Sequence, residues 1–477
     1  EWIEIPILFG LGLGGVGLIS LLGEKRVGIL VGGAILGSVV LALLAFPISL
    51  LSSISPLWPT LTMATVTFIA GVVRSRGNGF LWKAALGYVL LVLVAWALRF
   101  VVQVRERPGE DAISVMLQAV FELQQGEAPN DYRRSFSYPL LIALAPEGTI
   151  LASATPLVLL STVVVVAVTA YTVLPKPGSL LPMVALGLGL LVVMSAPIFW
   201  VALGYTNSHV LAALAIAMAT YCVLGSIKAL TFDGRHVGLL SVSAIVLATA
   251  RFEGAVLFLV IISPLMLSLA GYLQPYRYRV LWVAYIGSAG LLFWVLLSAQ
   301  QLPINPFLLF GLLASAPPLV LLATRLGGPR SERILVLGGW FSLLATTVLV
   351  LFAEYGLSGA RAIAFAQFRN LLLGVSGWGA VISATLIATV WVFFPAKSRI
   401  YRTSVRMWWW GILVTIILKL LDSPPGNEGF NNTLSRTFLH WLAPLFVLWI
   451  IGLYESLHAR RPAKRLVQSF SRRRRAD

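Results

Sequence analysis

The sequence has little cysteine, little histidine and little charge, and each shortage excludes a class of protein. Its single cysteine, Cys222, excludes an intramolecular disulfide and any metal site built from several cysteines. The four histidines are scattered and form no HExxH or similar metal-binding motif. A P-loop and the GxGxxG fingerprint of dinucleotide-binding proteins are also missing. Only 11% of the 477 residues are charged, against about 25% in soluble domains, which excludes a soluble fold.

The sequence contains many long apolar runs instead of charged residues. The residues are 58% hydrophobic and the mean hydropathy is +0.91, and many runs approach the roughly 20 residues that cross a bilayer as a helix. We predict an all-α, polytopic transmembrane helical bundle of about 15 spans. The predicted spans lie near 3–22, 27–51, 57–73, 83–102, 151–174, 180–203, 207–227, 237–250, 254–271, 280–299, 307–323, 334–353, 371–394, 407–421 and 438–454. The glycine-rich start, Gly10 to Gly17, predicts close packing of membrane helices.

Basic residues are unevenly distributed among the predicted loops. With the N-terminus placed outside, 25 of the 35 basic residues fall on the cytoplasmic side, together with only five of the 18 acidic residues. Cytoplasmic loops of membrane proteins carry such an excess of lysine and arginine, so the C-terminus is predicted to be cytoplasmic. The net charge of +17 then reflects orientation and attraction to anionic lipid in the bilayer, and no nucleic-acid partner is predicted.

The longest polar interruption runs from Gln103 to Pro156, and the topology places it outside. This polar segment holds seven of the 18 acidic residues. Pro108-Gly109 and Gly126 predict the start and the end of one helix between them. Polar residues recur along that helix at three- and four-residue steps, and apolar residues, among them Val120 and Phe121, fall on the other side. This pattern predicts an amphipathic helix lying on the membrane surface. The alternative interpretation is a solvated helix that only caps the bundle.

Four smaller polar clusters are predicted on the same outer side, at 204–209, 251–253, 354–370 and 422–440. Charges near membrane depth are costly and usually functional, which makes the arginines and histidines of these clusters candidates. Each also has a structural alternative. The Arg251 and Glu253 charges can satisfy each other at a helix turn, and Arg436 and His440 can anchor the last span at the interface. Asn207 and His209 stand where helix capping is expected.

Five segments, taken in order, resemble the GT-C class of membrane glycosyltransferases, which use a lipid-linked sugar donor at the outer membrane face. The segments are Glu110-Asp111-Ala112, the Pro-containing re-entry segment Ser137 to Leu144, Ser195 to Asn207, Ala250-Arg-Phe-Glu-Gly254, and Arg436 to Pro444. The resemblance covers roughly residues 83 to 454, and mannosyl- and arabinosyltransferases are the members that it suggests. The three preceding spans depart from the usual pattern of the class, and no WWDYG-like motif is present, which argues against an oligosaccharyltransferase.

The resemblance implies a division of the chain and a set of functional residues. The division is three accessory helices at 1–82, a core at 83–300 with the catalytic external loop 103–156, a variable part at 301–454 with external loops 354–370 and 422–437, and a basic tail at 455–477. Asp111 is the predicted base, with Glu110 and Asp131 as alternatives. The predicted phosphate-binding residues are, in order of preference, Arg436, Arg369, Arg251 and Arg361. The predicted substrate-binding residues are Glu253, His440, Asn207, His209 and Tyr138.

The chemistry agrees with these assignments. Transfer of a sugar from a polyprenyl phosphate requires a base to deprotonate the acceptor and a cation to hold the departing phosphate. We therefore expect an inverting glycosyltransferase in a prokaryotic plasma membrane, with a glycan, lipid or protein as acceptor. No cofactor is assigned, and a divalent cation stays open. The alternatives are a polysaccharide polymerase or O-antigen-ligase-like enzyme, and a transporter or lipid flippase, for which helix-breaking residues such as Pro264 would be the hint.

Overall fold

The structure is a computed structural model in which every regular element of the described residues is helical. It describes residues 3–75, 79–102, 111–129, 135–146, 151–174, 180–203, 208–251, 253–269, 278–280, 282–287, 289, 341, 345, 348, 352, 355–366, 368–369, 372–373, 377–422 and 437–473. The predicted all-α class is therefore confirmed for this part of the chain.

Fifteen labelled helices follow one another along these residues. They are α1 (Glu4–Leu21), α2 (Val27–Ser52), α3 (Leu57–Ser75), α4 (Phe80–Val102), α5 (Asp111–Gln124), α6 (Ser137–Ala143), α7 (Ala154–Val173), α8 (Leu180–Met194), α9 (Pro197–Leu203), α10 (Ser208–Ala229), α11 (Gly234–Ala250), α12 (Gly254–Leu269), α13 (Val381–Ile387), α14 (Arg399–Asp422) and α15 (Leu442–Arg473). A π-helical stretch, Ala388–Val392, continues α13, and a 3-10 turn, Leu439–Trp441, precedes α15.

Seven helices of the described part are long and apolar enough to cross a membrane. They are α1, α2, α3, α4, α7, α10 and the segment Leu439–Ala459. The shorter apolar helices are α8, α11, the first part of α12 and the segment Val381–Val392. These helices fit an integral membrane protein. The count of about 15 spans stays a prediction, because the predicted span 307–323 and most of 280–299 and 334–353 lie outside the described residues.

Glycines bring the first two helices into close contact. A Cβ atom added to Gly15 would lie 1.8 Å from the carbonyl oxygen of Ala34, so only glycine fits at this crossing. The Ser38 hydroxyl of α2 donates a hydrogen bond of 2.8 Å to the Leu11 carbonyl of α1. The close packing predicted for Gly10 to Gly17 is therefore present in the structure.

Helix α10 lies at the centre of the described bundle. It is buried along nearly its whole length, and it packs against α7, α11, α12, α14 and α15. A helix that is apolar on all sides is expected in such a position. The two ends of α10, marked by Ser208 and Ala229, therefore mark the two ends of the bundle.

The polar segment contains the predicted amphipathic helix. Helix α5 begins two residues after Pro108-Gly109 and ends shortly before Gly126, which adopts φ +74° as expected of a residue that ends a helix. Val120 is buried, as predicted for the apolar side. Phe121 was expected on the same side but is 45% exposed, whereas Gln124 is buried because its amide nitrogen reaches the carbonyls that follow α6.

Several boundaries differ from the predicted spans, among them the start of α14 at Arg399 rather than near 407 and the start of α13 at Val381 rather than near 371. The span predicted at 180–203 is divided into α8 and α9, because Pro197 has no N–H to continue a helix and disfavours helical backbone at the preceding residue. Helix α11 starts earlier than 237 because Asp233 caps it, accepting a hydrogen bond of 3.1 Å from the His236 backbone N–H. Helix α15 continues to Arg473, far beyond the span predicted at 438–454.

Candidate functional site

A buried ion pair stands in the turn between α11 and α12. The Nε and Nη2 atoms of Arg251 donate to Oε1 of Glu253 at 3.1 and 2.9 Å, and the two residues are 9% and 2% exposed. The third donor, Nη1 of Arg251, reaches the Ser208 hydroxyl at 3.4 Å and so connects the turn to the start of α10. The turn needs glycine at Gly254, since an added Cβ would lie 1.8 Å from the Leu247 carbonyl oxygen.

Two histidines form a second buried contact at the start of α10. Nδ1 of His209 and Nε2 of His440 are 2.9 Å apart, with ring centroids 4.9 Å apart, and the residues are 4% and 0% exposed. One nitrogen must donate and the other must accept, so at least one ring is neutral in this contact. His209 directly follows Ser208, the partner of Arg251. The structure thus brings together Arg251 with Glu253, and His209 with His440, at one end of α10.

The polar segment docks at the same end. The backbone N–H of Phe136 donates to the Thr249 carbonyl at 2.9 Å, two residues before Arg251. Tyr138 of α6 is fully buried, and its hydroxyl is hydrogen bonded to the Thr155 hydroxyl of α7 at 2.5 Å. Helix α6 is therefore fixed between the end of α11 and the start of α7. The predicted substrate contact of Tyr138 stays a prediction.

Helix α5 begins with the predicted base and is hydrogen bonded to this region through its last residue, Gln124. Asp111 is its first residue, where the N-terminal backbone N–H groups favour a negative charge. The Asp111 side chain and the rival carboxylates Glu110 and Asp131 lie outside the described part. Helix α5 packs on α6, and the Gln124 amide nitrogen donates to the Ala145 carbonyl at 3.4 Å. The helix of Asp111 is thus joined through α6 to the buried ion pair.

The remaining predicted residues are less closely placed. Arg361 is exposed on the helical stretch 355–366, and Arg369 is half-buried just beyond it. Arg436 and Asn207 lie outside the described residues. In the sequence, Asn207 directly precedes Ser208, the partner of Arg251, and Arg436 directly precedes the described stretch that contains His440. Their predicted roles stay predictions.

One cluster at this end was missed by the sequence analysis. Glu4 is buried and accepts hydrogen bonds from Arg99 and Ser153, which stand near the two ends of the polar segment. The available signal was a pair of opposite charges near the outer ends of the first and fourth predicted spans. The sequence did not show that the two charges would meet.

A second polar cluster lies at the opposite ends of α10 and α11. Glu24 is 1% exposed and accepts a hydrogen bond of 2.8 Å from the Tyr221 hydroxyl, and Arg235 lies 3.7 Å from the same carboxylate oxygen. Arg26 also donates to the Tyr221 hydroxyl. Arg26 and Arg235 were both predicted on the cytoplasmic side, and the structure places them at one common end.

The acid that caps α11 belongs to this second cluster. Burial raises the pKa of Asp233, but the hydrogen bond from the His236 backbone N–H and the interactions with the His236 ring and with Arg235 outweigh it, so the pKa of Asp233 lies below its ordinary value. Asp233 therefore keeps its charge at neutral pH. A stable anion at the start of α11 holds the cap in place.

Among the described residues, no group of three or more His, Cys, Asp or Glu side chains is placed to hold a metal ion. Comparison with protein-family models, curated proteins and solved structures gives no significant match for this chain. The cluster of Arg251, Glu253, His209 and His440 combines an ion-paired arginine with a histidine pair that can accept or donate a proton. Helix α5, which starts with Asp111, packs on the adjacent α6.

Proposed function

We propose that the chain is an inverting glycosyltransferase that moves a sugar from a polyprenyl-phosphate donor to an acceptor at the outer face of the membrane. The observation that carries the proposal is the hydrogen bond from Phe136 to the Thr249 carbonyl. It holds the polar segment at Phe136 against the end of α11, two residues before Arg251, and α5, whose first residue is Asp111, packs on α6 of the same segment. A candidate base and candidate cations are thereby supported by one end of the bundle.

In the proposed reaction, the Asp111 carboxylate removes the proton of an acceptor hydroxyl. The acceptor oxygen attacks the anomeric carbon of the sugar from the face opposite the phosphate. The bond between that carbon and the phosphate oxygen breaks, and polyprenyl phosphate leaves with the electron pair. An arginine guanidinium binds two phosphate oxygens at once and stabilises their charge as the bond breaks.

Arg436 is the first choice for the phosphate. Arg251 already gives two of its donors to Glu253, and the long contact of 3.4 Å to Ser208 is the one that a phosphate would most easily replace. In the sequence, Arg436 directly precedes the described stretch that places His440 against His209. His209, His440 and Glu253 are then proposed to surround the sugar or the acceptor.

The test is transfer of labelled sugar by the purified protein. The probes are polyprenyl phosphates that carry radiolabelled mannose, glucose or arabinose, offered with a membrane-lipid extract as acceptor. Asp111→Asn keeps the shape of the side chain and removes its basicity, so transfer should fall by about 100-fold or more while the donor still binds. The matched control is Glu122→Gln, because Glu122 lies on the same helix about 16 Å farther along its axis.

Each result of this test has a defined meaning. Loss of transfer in Asp111→Asn with normal transfer in Glu122→Gln supports the proposed base. Normal transfer in Asp111→Asn, together with inactive Glu110→Gln or Asp131→Asn, moves the base to another carboxylate of the segment. If the wild type transfers none of the three sugars and instead carries a labelled polyprenyl phosphate across vesicle membranes, the protein is a transporter or flippase and the proposal is wrong.

A further inference from the structure

The buried carboxylate of Glu4 joins both ends of the polar segment. Glu4 is 6% exposed. Its Oε1 accepts from Nη1 of Arg99 at 3.1 Å, and its Oε2 accepts from the Ser153 hydroxyl at 3.0 Å and from the Ser153 backbone N–H at 3.4 Å. Arg99 stands in the last turn of α4, where the chain leaves for the segment, and Ser153 is the residue before α7, where the chain returns. One side chain therefore holds the exit and the return together.

The charges of this contact suit the three helix ends that meet there. Glu4 lies in the first turn of α1 and reaches the start of α7, and both places favour a negative charge. Arg99 lies in the last turn of α4, which favours a positive charge. The side chains of Arg99 and Glu4 are only 21% and 8% exposed, so removal of either one leaves its partner poorly solvated.

The N-terminal helices support the segment at two further points. Phe46 of α2 packs edge to face on Phe136, with ring centroids 5.1 Å apart. Just beyond α5, Gly126 lies so close to the turn between α2 and α3 that an added Cβ would be 2.7 Å from the Ile54 carbonyl oxygen. Helix α2 and the turn that follows it, both in the part that the sequence analysis treats as accessory, thus contact the segment around α5 and α6.

We propose that Glu4 is a positioning residue whose contacts with Arg99 and Ser153, here termed the clasp, hold the two ends of the polar segment together and so fix α5, which begins with the proposed base. The inference rests on the proposed function in one respect, that a carboxylate of the segment acts as the base. Glu4 acts only through Arg99 and Ser153. Since a displacement of about 1 Å can cost about 100-fold in rate, loosening the clasp should lower kcat without changing how tightly the donor binds.

The experiment uses the full-length protein in lipid nanodiscs and two readouts. The first is hydrogen exchange of the α5 amides, which needs no substrate. The second is kcat and KM for whichever of the three labelled polyprenyl-phosphate sugars the wild type uses. The variants are Glu4→Gln, Arg99→Gln and the double variant. Ser153→Ala is a milder variant that removes one hydrogen bond and keeps the ion pair.

Glu24→Gln is the matched control. Glu24 is the second buried carboxylate next to α1, 1% exposed, but it lies at the opposite end of that helix and bonds to Tyr221. Both substitutions remove one buried negative charge. A general loss of stability would therefore affect the two variants alike, whereas loss of the clasp affects Glu4→Gln alone.

We expect Glu4→Gln to raise exchange in α5 by about 10-fold or more, while Glu24→Gln leaves it unchanged. The value of kcat should fall between about 10-fold and 100-fold with KM for the donor within about 2-fold of the wild type. The double variant should lose no more than the worse single variant, because both act through one contact. Ser153→Ala should show a smaller change in the same direction.

Two results of the exchange measurement alone would overturn the clasp. One is unchanged exchange in α5 of Glu4→Gln and of Ser153→Ala. The other is an equal rise in exchange for Glu24→Gln. If the wild type transfers no sugar, the proposed function fails, but the exchange data still decide whether Glu4 holds the segment. If transfer is normal in the wild type and unaffected in Glu4→Gln, the proposed function stands and the clasp is wrong.

Discussion

Replacing Arg251 with alanine should destabilise the protein by about 3–5 kcal/mol, because it leaves a buried carboxylate without its cation. The substitution removes the two hydrogen bonds of 3.1 and 2.9 Å to Glu253 and the longer one to Ser208. Glu253 is 2% exposed, so water cannot replace the lost donors without opening the turn between α11 and α12.

The double variant Arg251→Met with Glu253→Gln provides the decisive comparison. It removes both charges and fills a similar volume, so its loss should be about 0–2 kcal/mol, clearly less than that of Arg251→Ala alone. Arg402→Ala is the matched control, since Arg402 is exposed on α14 and should change stability by about 0.5 kcal/mol or less.

The assay is reversible unfolding in mixed detergent micelles, followed by tryptophan fluorescence. The expected order of stability is wild type and Arg402→Ala together, then the double variant, then Arg251→Ala. If Arg251→Ala is no less stable than Arg402→Ala, or if the double variant is as unstable as Arg251→Ala, the pair is not a desolvated ion pair of the kind described above.

Two further predictions concern the phosphate and the helix crossing. Arg436→Ala should weaken binding of the labelled polyprenyl-phosphate sugar by about 10-fold or more. Arg436→Lys should recover only part of this binding, because lysine lacks the bidentate fork of the guanidinium. Full binding by the lysine variant would show that Arg436 is only a surface charge. Gly15→Ala should destabilise the protein by about 1–3 kcal/mol in the unfolding assay, because its Cβ meets the Ala34 carbonyl. Gly187→Ala is the control and should have no such effect, because nothing lies within 4 Å of the Cβ position there. Equal effects of the two substitutions would contradict the close crossing of α1 and α2.

Features that depend on neighbouring residues were predictable from the sequence. The start and end signals around α5 predicted its bounds to within two residues, because glycine and proline act on the backbone next to them. The glycines of α1 likewise predicted a close helix crossing, because the absence of side chains lets the two helix backbones approach each other. Phe121 was misplaced, since periodicity alone does not say which apolar residues face protein and which stay exposed.

Contacts between distant parts of the chain were not predictable in the same way. Glu4 meets residues 95 and 149 positions away, and His209 meets a residue 231 positions away. The sequence marked His209 and His440 as candidates because polar residues near span ends are costly, but it could not pair them. Such pairings follow from how the helices pack, and the tertiary packing is encoded by the whole apolar surface rather than by any single motif.

The stereochemistry of the product that the purified wild-type protein forms gives the sharpest test of the proposed sugar transfer. The protein is incubated with the three labelled polyprenyl-phosphate sugars and a membrane-lipid extract, without any ion gradient, and the configuration at the anomeric carbon is determined by NMR. We predict transfer from one of the donors, release of one polyprenyl phosphate for each sugar transferred, and an anomeric configuration opposite to that of the donor. A product that retains the donor's configuration would contradict the single displacement driven by a carboxylate base. The absence of any sugar transfer, with transport of the labelled lipid instead, would contradict the glycosyltransferase itself.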